Sequence, residues 1–280
     1  MIKLLFNKNG EVVPELNIKN IRMFVEILEE TSQHEEVRKT VSELKNFDEY
    51  FMIALENASL DITQDLSKKD FDTSAIIMHF YTFICNICYT SINIRDKISA
   101  KIEKIMERIN KFIANFDFSS STCTYVLECV ISLIINLSCG ADFRQKLKKY
   151  ENFINFLITD VISKISTTDN FEKYDELYEK SLSLLYNLTI QDDLNLHYIK
   201  LNLSKNLIRY FNTNFKSFED RIKERKTSLS VLRTISMINK LVKTDLIDFI
   251  QNSQFLKNVF DFLNLRIRNK NSEVLDETLK

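Results

Sequence analysis

Apolar residues along this chain recur at helical rather than strand spacing. At the start, Ile18, Ile21, Val25 and Leu28 stand three and four apart with charged residues on the other side, which predicts an amphipathic helix over Ile18 to Glu30 within an N-terminal capping region, 1–58. From Thr73 onward a longer pattern returns. An apolar stretch carries an Asn flanked by aliphatics, then comes a polar break, then a small basic and apolar segment. The copies read Phe83-Ile84-Cys85-Asn86-Ile87, Leu133-Ile134-Ile135-Asn136-Leu137 and Leu184-Leu185-Tyr186-Asn187-Leu188, with a weaker one at Ile238-Asn239. Successive asparagines lie 50, 51 and 52 residues apart.

The segment after each Asn recurs as well: Asn93-Ile94-Arg95-Asp96-Lys97-Ile98, then Asp142-Phe143-Arg144-Gln145-Lys146-Leu147, then Asn195-Leu196-His197-Tyr198-Ile199. Self-similarity at such a period is the signature of stacked repeats, each unable to bury its apolar side alone. The middle copy predicts helices at 121–139, 142–149 and 150–166. Thr244 to Arg268 reads as two helices opening a further unit, ahead of the polar stretch Asn269 to Lys280. Residues 2–13 read as a small hairpin around Asn9-Gly10. Leu60 to Asp72 and Phe211 to Arg225 read as insertions that lengthen loops.

These motifs resemble the armadillo repeat family, with HEAT-like packing as a close neighbour. Asn136-Leu137-Ser138 and Asn187-Leu188-Thr189 are similar to the family's third-helix segment, and Asn93 to Ile98 to the start of its next repeat. The resemblance covers 73–252. It implies an all-α protein, a right-handed α-solenoid of about four to five repeats over 1–280, with 253–280 as a C-terminal helix and tail. Armadillo repeats run to about 42 residues, so the units here are longer. In that family the third helices line a groove in which Asn side chains bond the backbone of an extended ligand. Carried over, these would be Asn86, Asn136, Asn187 and Asn239, and each suits at least as well a scaffold role bridging neighbouring helices. Import receptors of the family place Trp one turn before the Asn. Here Thr82, Ser132, Ser183 and Ile235 stand there, and the chain has no Trp, which disfavours basic import signals as ligands. One turn after come Thr90, Gly140, Gln191 and Lys243, which predicts a largely neutral groove.

Composition sharpens this picture. Two glycines and one proline serve 280 residues, too few for the turns of a strand-rich fold. The same scarcity removes Gly-rich phosphate loops and nucleophile elbows. Thirty-eight basic residues balance 39 acidic ones, so no global field draws the chain to nucleic acid or an anionic membrane. The five cysteines are odd in number and lie in apolar segments, as suits buried thiols in a reducing, cytoplasmic setting. Cys85-x-x-Cys88 has no second pair to complete a zinc site, and His34, His79 and His197 stand far apart. No cofactor, metal or catalytic residue is expected. Thr73 to Ile94 is long enough to cross a bilayer, yet His79, Asn86 and Asn93 favour a buried helix. The carboxylates Glu26, Glu29, Glu30, Glu35 and Glu36, and the basic run Arg221, Lys223, Arg225 and Lys226, read as solvated helix faces, the latter at the start of a further helix. The expectation is a non-enzymatic scaffold or adaptor holding a protein segment within a larger assembly. The rivals are a co-chaperone or assembly factor acting on an Hsp70, and an enzyme with an unfamiliar helical site.

Overall fold

The computed structural model describes residues 18–44, 46–56, 61–63, 66, 71–168, 171–189, 197–198, 201–223, 229–242 and 246–268. Among them every regular element is helical and no strand occurs. The hairpin expected at 2–13 and the tail after Arg268 lie outside the described residues. The chain divides into two compact units, Met1–Tyr150 and Glu151–Lys280.

The first unit contains α1 (Ile18–Ser32), α2 (Glu35–Ser42), α3 (Phe47–Glu56), α4 (Phe71–Thr90), α5 (Ile92–Ser99), α6 (Ile102–Ala114), α7 (Ser121–Leu137) and α8 (Ala141–Leu147). A long, a short and a medium helix succeed one another, at 15, 8 and 10 residues and then 20, 8 and 13. α1 buries Ile21, Val25 and Leu28, the expected stripe. It packs on α4, and α4 packs on α7. α4 is covered on several sides, burying Ile76, Ile77, Phe80, Phe83, Ile84 and Ile87, which explains its near-continuous apolar sequence. Ser91 ends it: the Ser91 hydroxyl accepts from the Ile94 backbone N–H at 3.3 Å and caps α5, a cap of the usual Ser type. The chain turns by 118° there, and among the described residues no single helix is long and apolar enough to cross a membrane.

The second unit contains α9 (Glu151–Phe156), which runs through a π-helical stretch (Leu157–Ile162) into α10 (Ser163–Ile165), then a 3₁₀ turn (Phe171–Tyr174), α11 (Asp175–Leu188), α12 (Leu203–Lys223), α13 (Leu229–Val242), α14 (Leu246–Gln251) and α15 (Ser253–Arg268). α11 packs on α13, and α12 on α15. The helices predicted at 121–139, 142–149 and 150–166 are thus found at 121–137, 141–147 and 151–165.

Phe211 to Lys223 is not a loop. Leu207, Tyr210, Phe211, Asn214 and Phe218 are buried at spacings of three and four, a single helical stripe that holds the segment in α12. Arg221 and Lys223 accordingly fall in the last turn of α12 rather than at the start of the next helix, and Arg225 and Lys226 lie outside the described residues. Left-handed turns are made without glycine, by Asn46 (φ 62°) before α3 and Asn202 (φ 59°) before α12. Asn adopts this conformation more readily than other non-glycine residues.

Candidate functional site

The four asparagines singled out by spacing fall on long helices, two in each unit. Asn86 is half-buried on α4, and its Nδ2 donates to the Ser32 hydroxyl of α1 at 3.0 Å. Asn136 is half-buried on α7, and its Nδ2 donates to the Cys85 carbonyl of α4 at 2.9 Å and to its Sγ at 3.0 Å. Each amide therefore ties its helix to the preceding long helix. Neither Oδ1 meets a hydrogen-bond donor among the described residues, so the acceptor half of each amide remains available. In the second unit Asn187 is half-buried on α11, while Asn239 is exposed on α13, which packs against α11. Asn86 and Asn136 thus sit on adjacent helices, as do Asn187 and Asn239.

The surroundings are polar and internally neutralised. Arg22 Nη1 pairs with Asp72 Oδ1 at 2.8 Å while its guanidinium covers the Phe71 ring at 4.7 Å. His79 Nδ1 lies 2.5 Å from Glu29 Oε2. In the second unit, Glu179 Oε1 accepts from Ser183 Oγ at 2.8 Å and from Arg233 Nε at 3.3 Å. Thr82 and Ser132, one turn before Asn86 and Asn136, turn their hydroxyls back onto their own helices, donating to the Met78 and Glu128 carbonyls at 3.0 and 2.8 Å. Gln191 and Lys243 lie outside the described residues.

Cys88 is buried, and burial pushes its thiol up, with the neighbouring Cys85 adding to the shift and Arg95 partly opposing it. It therefore remains a protonated packing residue. Among the described residues no three His, Cys, Asp or Glu side chains converge as metal ligands.

Two features escape a reading based on the asparagines. Arg144 Nη1 donates to the Ser138 and Cys139 carbonyls at the end of α7, at 2.7 and 3.0 Å. Arg38 makes the same pair of bonds at the end of α1, to Ser32 and Gln33, at 2.8 and 2.5 Å. Both reach back six and five residues, and each covers carbonyls that a helix end leaves unsatisfied. The spacing Ser32-x5-Arg38 against Ser138-x5-Arg144 is present in the chain, but Glu30 stands where the other copies carry Asn. The second feature is a buried hydroxyl cluster in the second unit. Ser230 Oγ donates to Asp175 Oδ1 at 2.5 Å, and Tyr210 OH donates to the same oxygen at 3.2 Å. Its residues come from α11, α12 and α13 and share no sequence motif.

Comparison of the chain with protein-family models, with curated proteins and with solved structures finds no match in any of the three.

Proposed function

We propose that the chain is an armadillo-type helical-repeat scaffold: a right-handed superhelix of about four to five repeats that holds a segment of a partner protein along the asparagine-bearing face and performs no catalysis. The observation that carries this reading is that, beside shorter-range bonds from Tyr210 to the neighbouring helices α11 and α13, many of the bonds between long helices join residues about fifty apart. In the first unit they join residues 50, 50, 54 and 51 apart, at Arg22–Asp72, Glu29–His79, Ser32–Asn86 and Cys85–Asn136. In the second they join residues 55 and 54 apart, at Asp175–Ser230 and Glu179–Arg233. A displacement near the asparagine spacing supports a stack of repeats, in which each long helix would lie on its counterpart one copy earlier. An up-and-down bundle pairs consecutive helices and gives no common displacement.

With Nδ2 engaged inside the protein, Asn86 and Asn136 have only Oδ1 left to offer a ligand. The complementary ligand offers donors, and a row of backbone N–H groups in an extended segment supplies them. Free thiols at Cys85, Cys88, Cys123, Cys129 and Cys139 favour work in the cytoplasm. The test places a photo-crosslinking amino acid at Ser132, beside Asn136, and at Lys146 on α8 as a control. Retention of the captured partner is then measured in the Asn136→Ala/Asn187→Ala double variant. Capture at Ser132 alone is expected, with retention falling about tenfold at unchanged helix content, since two neutral hydrogen bonds together contribute roughly that factor. Equal capture at Lys146, or full retention by the double variant, removes the asparagine face from the binding role.

A further inference from the structure

The second unit carries a charge pattern unlike that of the asparagine face. Lys205, Arg209 and Lys216 are all exposed on α12. Steps of four and seven residues place them on one side of the helix, over about 16 Å at 1.5 Å per residue. Among the described residues none of the three has an ion-pair or side-chain hydrogen-bond partner, whereas Arg22, His79, Arg108 and Arg233 all do.

Lys205 and Arg209 also line a notch of about 500 Å³ together with Ile208, Asn212 and Thr213 of α12, Asp248 and Gln251 of α14, and Asn252 at the start of α15. Its amide wall is held in place. Asn258 Nδ2 donates to Asn212 Oδ1 at 3.0 Å, Gln254 Nε2 to Asn258 Oδ1 at 2.7 Å, and the Phe255 N–H to Asn252 Oδ1 at 2.8 Å. Ile247, 67% exposed, stands one turn before Gln251 and so flanks the same side of α14.

We propose that this face of α12, with the notch beside it, docks an acidic helix of a partner protein. Carboxylates spaced four and seven residues apart on one helix face match the three cations, and Ile247 offers an apolar contact at the rim. The chemistry selects protein over nucleic acid. Three cations fall well short of the roughly six to ten phosphate contacts typical of such binding, while they suffice to meet three carboxylates on one helix face.

The experiment uses the full chain and two fluorescent helical peptides of identical composition, one with glutamates along a single face and one with them distributed around the helix. Competition with a dT20 oligonucleotide is measured in parallel. The single-face peptide is expected to bind at least tenfold more tightly than the distributed one. Its affinity is expected to fall about tenfold in Lys205→Ala/Arg209→Ala/Lys216→Ala, in keeping with three modest surface pairs. Asp248→Asn, which removes the opposing charge, is expected to tighten binding severalfold. Circular dichroism checks that these exposed substitutions leave the helices intact. Equal binding of the two peptides, unchanged affinity in the triple variant, or displacement by dT20 at a lower concentration than by unlabelled peptide overturns the assignment. None of these readouts depends on the asparagine face.

Discussion

The two units solve the same packing problem with different side chains. In the first, aliphatic residues such as Ile76, Ile84, Ile87, Ile131 and Ile134 fill much of the space between long helices, with rings in smaller groups such as Phe51 and Phe80. Orientation is set at the margins by directional polar bonds, Asn86 to Ser32 and Asn136 to Cys85. In the second, a connected cluster of rings stands beside aliphatic residues such as Leu182 and Leu185. Tyr178 and Tyr210 stack at 3.7 Å, and Phe211 contacts Phe218, Phe255 and Phe262 at 5.7 to 5.9 Å. Aliphatic groups fill space with little preference for direction, so register there depends on hydrogen bonds. Aromatic pairs carry their own angular preference and bring large buried areas. The Asp175, Ser230 and Tyr210 cluster then locks three helices of the second unit at once.

The sharpest way to break this contrast is Phe211→Ala. Loss of the ring at the centre of the cluster is expected to cost about 3 to 5 kcal/mol, measured by urea denaturation. Hydrogen exchange should place the lost protection in α12, α13 and α15. Equal loss in α4 and α7 would show that the aromatic cluster is not local to the second unit. Next comes Arg144→Ala, which uncovers two carbonyls at the end of α7. About 1.5 to 3 kcal/mol is expected for a charged donor, with Arg144→Lys recovering only part, because the shorter lysine side chain brings its ammonium short of the Nη1 position between the two carbonyls. An Arg144→Ala chain as stable as wild type would remove the arginine from the contrast.

The smallest effect is read by pH. Burial is the main cause that pushes the Tyr178 and Tyr210 phenols up, with Asp175 adding to both and the neighbouring Tyr178 adding to Tyr210. The folded state therefore holds these protons more tightly than the unfolded chain. Their contribution is complete below the unfolded tyrosine pKa of about 10 and is lost as pH rises beyond it. Tyr178→Phe keeps the ring stack, is expected to cost less than about 1 kcal/mol at pH 7, and should make the decline in stability above about pH 10 shallower. An unchanged slope would mean that Tyr178 is not among the groups that drive alkaline unfolding.

Much of this organisation is legible in the chain because it depends on local periodicity. The triplet at 121–165 rests on apolar spacing and the Ser120 cap, whose hydroxyl accepts from the Cys123 N–H. Phe211 to Lys223 reads as an insertion when a fixed repeat length is assumed, because its helix is longer than its counterparts. Arg38 escapes the motif because the copy it belongs to lacks the asparagine. The basic stripe on α12 is hidden for a different reason: Lys205, Arg209 and Lys216 are separated by buried residues, and only winding into a helix lines them up.

By itself, the order of residues determined that the chain is helical, where the helices between 121 and 165 begin and end, and that an asparagine among aliphatic residues recurs about every fifty positions, since these depend on patterns within a few turns. The tertiary structure alone decided which half of the Asn86 and Asn136 amides is consumed internally, which charges are neutralised, and which on α12 have no partner among the described residues. Those outcomes depend on which helix faces which, a relation among residues some fifty positions apart that no local pattern encodes.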